Sequence, residues 1–162
     1  MKKVILSILI FSALSACKKN ETANADNKTL IDSTAKKDIP KTATTLCFEF
    51  SKNKDTTAVS LTIEANNQVS GKMRWHPFEK DGAIGVLNGI KNGDTITADF
   101  DYIIEGNKQL EEKVFVLKNN ELFELIGELE DKKGKLIIKD LKKATVRNTL
   151  TLKDCSKIKF LK

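Results

Sequence analysis

The sequence is poor in the side chains that hold metals and carry redox chemistry. Its 162 residues include one His and three Cys, too few for zinc fingers or a multi-histidine metal site. It also lacks Gly-x-Ser-x-Gly, His-Glu-x-x-His, Cys-x-x-Cys and a phosphate-binding glycine loop. We therefore expect no cofactor and no catalytic residues, and a protein that is not an enzyme.

Long uncharged runs are equally scarce, and the longest lies at the start of the chain. Residues 4–16 carry no charge and follow Lys2 and Lys3. At about 1.5 Å per residue such a run covers about 20 Å, less than a bilayer core of about 30 Å. A cationic start followed by a run of this length is typical of a signal peptide, which we predict over residues 1–16.

The residues that end this run resemble the bacterial lipobox: they are Leu14, Ser15, Ala16 and Cys17. The resemblance implies that the Cys17 thiol receives a diacylglyceryl group, that the chain is cut before it, and that the new amine is acylated. The alternative is an ordinary secretory signal that happens to precede a cysteine. Acyl chains anchor a protein without spanning the bilayer. We therefore expect a lipid-anchored cell-envelope protein, and Lys18 in place of Asp favours the outer membrane, on either its periplasmic or its surface face.

The segment after Cys17 has too few large apolar residues to bury. Between residues 18 and 43 only Leu30, Ile31 and Ile39 are large and apolar, and no residue is aromatic. Such a composition does not offset the entropy of ordering the chain. Residues 17–43 are predicted to be the lipidated cysteine and a flexible tether with a typical reach of about 28 Å.

From residue 44 onward, short apolar runs alternate with polar residues. The clearest run places its apolar residues on one parity: Ile96, Ala98, Phe100, Tyr102 and Ile104. Other runs contain Leu46 to Phe50, Val59 to Ile63, Val69 to Trp75, Ile84 with Val86 and Ile90, Val114 to Leu117, Leu122 to Leu129, Leu136 to Ile138, and Thr145 to Leu152. A period of two residues indicates strands with one buried face.

Turn residues separate these runs. Asn and Gly adopt the positive φ angles that tight hairpins need. The turn signals are Asn66-Asn67, Asp81-Gly82, Asn92-Gly93, Glu105-Gly106-Asn107, Asn119-Asn120 and Lys133-Gly134. About eight consecutive strands over residues 44–162 predict an all-β antiparallel meander. Closure into a small up-and-down barrel of the lipocalin or avidin type would leave no open edge, and a two-sheet sandwich is the alternative.

Two cysteines remain once Cys17 is assigned to the lipid. In an oxidising compartment Cys47 and Cys155 are expected to form a disulfide that joins the two ends of the domain. The alternative, a nucleophile pair of a cysteine with His76, has no evident orienting group.

One aromatic and basic stretch is a candidate ligand site. Arg74, Trp75 and His76 precede Pro77 at a predicted strand end, and Tyr102 is inward by parity. Trp75 could stack on a small aromatic or sugar ligand while Arg74 or His76 forms hydrogen bonds. A structural role for these side chains, and a satisfied core position for Tyr102, is the alternative.

Charge is divided unequally along the chain. Residues 44–131 carry 9 basic and 16 acidic side chains, whereas residues 132–162 carry 11 basic and 2 acidic ones. The basic segment either contacts anionic lipid or polysaccharide or pairs with acidic neighbours, namely Glu121, Glu124, Glu128 and Glu130. Neither possibility predicts a nucleic-acid partner, since no aromatic-basic motif is present.

The stretch from Gly85 to Tyr102, followed by Glu105 and Gly106, resembles small uncharacterised lipoproteins of Bacteroidetes, over about Cys47 to Cys155. The order of lipobox, tether and disulfide-linked β-domain is also similar to that of membrane-bound lysozyme inhibitors. We expect a non-enzymatic binding domain for a small apolar or glycan ligand or for an envelope protein. The alternative is an inhibitor of a lysozyme-like envelope hydrolase.

Overall fold

The computed structural model describes residues 42–161, which form ten β-strands and three short 3-10 turns. The strands are β1 Thr44–Lys52, β2 Asp55–Ile63, β3 Gln68–His76, β4 Ala83–Asn92, β5 Thr95–Ile104, β6 Asn107–Lys118, β7 Glu121–Ile126, β8 Leu129–Lys132, β9 Lys135–Ile138 and β10 Thr145–Lys153. The predicted signal peptide, Cys17 and the tether up to residue 41 lie outside the described residues. Among the described residues, no helix has the length and apolar character needed to cross a membrane.

Eight of the strands close into an antiparallel barrel. Strands β1 to β6 each pair with the next strand in the chain, and β10 pairs with both β7 and β1. The predicted up-and-down barrel is therefore confirmed, and the alternative sandwich does not form. Strands β8 and β9 make an additional hairpin between β7 and β10.

The hairpins turn where Asn and Gly predicted them. Positive φ angles occur at Asn67, Gly93, Gly106, Asn119, Asn120 and Gly134, among others. The β1–β2 turn was not predicted, because Asn53 and Lys54 adopt positive φ without a neighbouring Gly. Residues 108–117, which contain helix-forming residues, belong to β6, as their β-branched and aromatic run predicted.

Side chains fill the interior of the barrel. An eight-stranded barrel is just wide enough for its own side chains to occupy. Phe48, Phe100 and Phe115 are nearly or fully buried, and Tyr102 is 8% exposed. The other members of this core cluster are Val59, Leu61, Val69, Met73, Ala83, Leu87, Ile96, Ala98, Leu122 and Leu150. This packing matches the predicted parity of β5 and of most other strands.

Strand β4 presents the opposite face from the one predicted. Ile84, Val86 and Ile90 are 50%, 45% and 56% exposed and face the outside of the barrel. The inward positions of β4 include Gly85 and Gly89, which face the backbone of β5 at close range. A Cβ atom at Gly85 would overlap the carbonyl oxygen of Asp101. Leu87 is the large inward residue of β4, and on either side of it the close backbone of β5 leaves room only for glycine, at positions 85 and 89.

The predicted strand from Leu122 to Leu129 is two strands. Strand β7 ends at Ile126 and β8 begins at Leu129. Gly127 lies between them, with the Ile138 side chain so close that a Cβ atom there would stand 2.9 Å from its Cγ2. Residues 127 and 128 therefore separate the barrel strand from the hairpin.

The predicted disulfide between Cys47 and Cys155 is formed. It lies where β1 and β10 close the barrel, with a Cα–Cα distance of 5.2 Å and a sequence separation of 108. Cys47 faces outward and packs with Ala58 and Ile158 in a small second apolar cluster. The chain end is thereby held against the outer wall.

Removing this disulfide should destabilise the barrel. Because the bridge closes a loop of 108 residues, we expect Cys47→Ala combined with Cys155→Ala to lower the free energy of unfolding by about 2–5 kcal/mol. Denaturant unfolding of the oxidised proteins measures the change, with Cys17→Ser as the control that keeps its stability. Equal unfolding midpoints for the double variant and the parent would contradict this role.

Candidate functional site

The barrel wall has an opening at one end, because β6 pairs with β7 along one part of its length and with β9 along another. From Val114 to Lys118 it pairs with β7, and at Glu111 it pairs with Leu136 of β9. Since β7 and β9 diverge along β6, the wall opens between them. The opening lies at the end where β7 finishes and β10 begins.

A cleft of about 170 Å³ occupies this opening. Its lining is mostly apolar, with one arginine and two carboxylates: Glu111, Glu112, Leu125, Ile126, Gly127, Leu129, Ile138 and Arg147. Apolar side chains are also exposed at its rim and in the adjoining turn: Ile126 is 37%, Leu129 44%, Leu141 51% and Val146 52% exposed. Exposed apolar side chains gathered around one cleft mark an interaction site.

Inside the wall beside the cleft lies a buried cluster of charges. The Lys113 ammonium is 2.7 Å from a Glu111 carboxylate oxygen and 3.6 Å from one of Glu124. The Asn148 amide donates a hydrogen bond of 2.9 Å to the other Glu124 oxygen. No buried side-chain nitrogen or oxygen in the described part of the chain lacks a hydrogen-bond partner. Each buried polar group of this cluster, called here the polar plug (Glu111, Lys113, Glu124 and Asn148), therefore has a hydrogen-bond partner. Loss of Lys113 would leave the two carboxylates without a counter-charge.

Tyr102 borders this plug. Its ring stacks on Phe100 with the centroids 4.5 Å apart, and its hydroxyl has two acceptors in reach, the Gln109 amide oxygen at 2.8 Å and the Glu111 carboxylate. Burial, followed by the negative charge of Glu111 and the hydrogen bond to it, raises the pKa of Tyr102. The hydroxyl thus stays a neutral donor to its neighbours.

Arg147 connects the cleft with the predicted aromatic site. Its guanidinium carbon lies 5.6 Å from the centre of the Trp75 ring, within the range of a cation–π contact. The register of β10 shifts between Val146 and Asn148. Such an irregularity re-aims side chains, and here it falls at Arg147, which also lines the cleft.

The four predicted ligand contacts do not form one cluster. Trp75 and Tyr102 face the interior and pack in the same core. Arg74 and His76 alternate with Trp75 along β3 and face outward, opposite Ala58 and Thr56 of β2. The structure therefore brings Trp75 next to Arg147, a residue that the sequence analysis did not select, and separates it from Arg74 and His76.

The plug residues could have been found by parity. Phe115 is inward, so Lys113 and Glu111, two and four residues before it, must be inward as well. In the sequence, such a cluster is indicated by charged side chains at the inward-facing positions of a strand that has one buried face. Arg147 offers no such signal, because its direction depends on the irregularity in β10.

The basic segment is partly neutralised by acidic side chains. Lys139 lies 3.0 Å from Glu128, and Lys132 lies 3.0 Å from Glu130. Lys135 contacts Asp99 at 2.9 Å and so holds the β8–β9 hairpin against β5. Pairing with acidic neighbours, one of the two possibilities raised by the sequence, accounts for these lysines.

The charges beside the cleft are paired with one another, and the cleft is small. The Lys113 ammonium contacts two carboxylates, those of Glu111 and Glu124, and burial keeps the nearby Tyr102 phenol neutral. Within residues 42–161 no group of three or more His, Cys, Asp or Glu is placed to hold a metal ion. The cleft of 170 Å³ is smaller than the roughly 300–1,000 Å³ typical of ligand and cofactor sites.

Comparisons with models of protein families, with curated proteins and with solved structures find no match to this chain.

The raised pKa of Tyr102 is directly measurable, because it is the one tyrosine in the sequence. We expect its phenolate absorbance to appear above the ordinary value of about pH 10. Above that value the unfolded chain ionises first, so the free energy of unfolding should fall as pH rises towards the folded pKa.

Glu111→Gln should lower the titration midpoint, because it removes the neighbouring negative charge. Glu112→Gln, which faces the other side of β6, is the matched control and should leave the midpoint unchanged. A midpoint at the ordinary value that neither variant moves would contradict the site geometry.

Proposed function

We propose that this protein is a lipid-anchored lipoprotein of the cell envelope whose barrel binds an envelope protein at the cleft beside Arg147. The observation that carries the proposal is the apolar cleft in a barrel that otherwise has a filled interior. The protein acts as a non-enzymatic interaction domain, and its partner contributes an apolar side chain to the cleft.

The filled interior argues against carriage of a small apolar or glycan ligand inside the barrel. Phe48, Phe100 and Phe115 occupy the volume that such a ligand would need. A carrier barrel keeps an open cavity at its mouth. We therefore assign recognition of a partner to the outer wall of the barrel.

The dimensions and chemistry of the cleft fit a protein side chain. A volume of about 170 Å³ accepts one large apolar side chain between Leu125, Leu129 and Ile138. Arg147 and Glu112 at the same cleft offer a cation and a carboxylate to polar groups beside it. A buried apolar anchor surrounded by polar contacts is the usual plan of a protein interface.

The anchor and the location follow from the N-terminal sequence. The uncharged run, the lipobox-like residues and Cys17 support lipid attachment. The disulfide between Cys47 and Cys155 is consistent with an oxidising compartment outside the cytoplasm. An anchored chain with a tether places the cleft within reach of other envelope proteins.

Site-specific photo-crosslinking in cells tests the proposal. A photoreactive side chain at Val146, at the rim of the cleft, should form an adduct with one envelope protein, identified by mass spectrometry. Leu152, an exposed position on the same strand at the opposite end of the barrel, is the matched control and should not form it. An adduct of the same protein from both positions, or none from Val146, would contradict the cleft as the binding site.

Two further variants separate the parts of the proposal. Ile126→Asp places a charge at the cleft and should abolish the adduct without unfolding the barrel. Cys17→Ser should release the chain from the membrane fraction, and an unchanged membrane fraction would contradict lipid anchoring. Should the partner be a lysozyme-like hydrolase, stoichiometric inhibition of that enzyme would support the inhibitor function.

A further inference from the structure

The outer face of β4 carries a row of apolar side chains that the barrel does not use. Ile84, Val86 and Ile90 are about half exposed, and Ile103 of β5 lies directly opposite Ile84 and is 50% exposed. These four residues, called here the β4 stripe, lie on the other face of the sheet from the core. Asn88 lies between Val86 and Ile90 on the same face and is the polar member of this row. Exposed apolar side chains gathered on one face of a sheet mark a surface that another molecule covers.

Charges of opposite sign flank the β4 stripe. On the β3 side, Lys72 lies directly opposite Val86, and Arg74 lies opposite Ile84. On the β5 side, Asp101 lies opposite Val86. Lys72 and Asp101 are both exposed. Across three strands the order is therefore cation, apolar residue and carboxylate.

This order is complementary to itself, and we propose that the β4 stripe is the interface between two copies of this chain. A two-fold axis lying between the copies, nearly along β4, places Val86 against Val86 of the second copy. The same rotation sets β3 of each copy against β5 of the other. Lys72 then meets Asp101 of the second copy, and the pair occurs twice, as an isologous interface requires.

The charges also select this orientation over its alternative. A two-fold axis running across the strands would set β3 against β3 and bring Lys72 near Lys72 of the second copy. Like charges opposed in this way weaken association. The pattern therefore defines both the occupant of the face and the direction of the axis.

A groove beside the stripe gives the second copy room. It has a volume of about 620 Å³ and is lined by Ser60, Ser70, Lys72, Val86, Ile158 and Leu161, among others. In the proposed dimer, β5 of the second copy lies over β3, which provides Ser70 and Lys72 to this groove. The Asp101 carboxylate of that copy enters a site with a cation and hydroxyl groups.

The area of contact predicts a weak dimer. Three strands about 4.8 Å apart and seven residues of about 3.4 Å each make a face of about 14 by 24 Å. A standard interface buries about 800 Å² on each partner. Because the face is smaller than a standard interface, we expect the dimer to form only near the millimolar end of the micromolar to millimolar concentration range.

Sedimentation velocity of the full chain carrying Cys17→Ser over this range tests the proposal. We expect a monomer–dimer equilibrium that Lys72→Asp weakens at least about tenfold, since two attractive contacts become repulsive. Asp101→Lys should weaken it to a similar extent. The double variant with both reversals should restore the dimer, and this recovery distinguishes a broken contact from a misfolded protein.

A cysteine at the axis provides an independent measurement. Face-to-face sheets lie about 10 Å apart, beyond the reach of a direct disulfide. A short bifunctional thiol reagent should therefore join Val86→Cys to itself between copies, whereas Val146→Cys, similarly exposed but at the cleft, should not be joined. A monomer at every concentration overturns the proposal. So does a dimer that neither charge reversal changes, because it would use another surface. Failure of cleft crosslinking leaves these outcomes unaffected, since the cleft and the β4 stripe lie on different strands.

Discussion

The pairing of β1 with β10 closes the barrel, and it is short. Only Cys47, Phe48 and Glu49 of β1 have partners in β10, whereas nine residues of β1 have partners in β2. The disulfide from Cys47 to Cys155 lies beside this seam. Closure leaves no open edge at β1 or β10 and encloses the phenylalanines of the core. The filled interior, and with it the use of the outer wall for recognition, depends on this seam.

Much of the architecture could be predicted from local patterns. Alternation in β5 and the Asn and Gly turns predicted strands and hairpins because both are properties of neighbouring residues. Closure was predicted because a closed barrel has no open edge, and the expected bridge from Cys47 to Cys155 agreed with it. The face of β4 was predicted wrongly, because large apolar residues were assumed to be inward, and the backbone of β5 decides otherwise at Gly85.

The candidate site was harder to predict, because it depends on long-range pairing. The cleft exists where β6 passes from β7 to β9, and no short motif marks that exchange of partners. Trp75 was selected for its place at a strand end and Tyr102 for its inward parity, and both face the interior. Arg147, which lies over the Trp75 ring at 5.6 Å, is 72 residues further along the chain and points there because of an irregularity in β10.

The two proposed outer surfaces differ in the kind of association they suit. The cleft between β7 and β9 combines an apolar pocket with Arg147 and suits insertion of a single side chain. The β4 stripe has Lys72 on one side and Asp101 on the other, which suits a second copy of the same surface. A chain anchored through Cys17 would meet both a partner and its own copies at the raised effective concentration of a membrane.

The central claim is that recognition takes place outside a filled barrel. Native mass spectrometry of the purified full chain carrying Cys17→Ser tests it most directly. The account predicts the mass of the polypeptide alone, together with its dimer at high concentration. A small apolar or glycan molecule retained in one-to-one ratio by the monomer would contradict it.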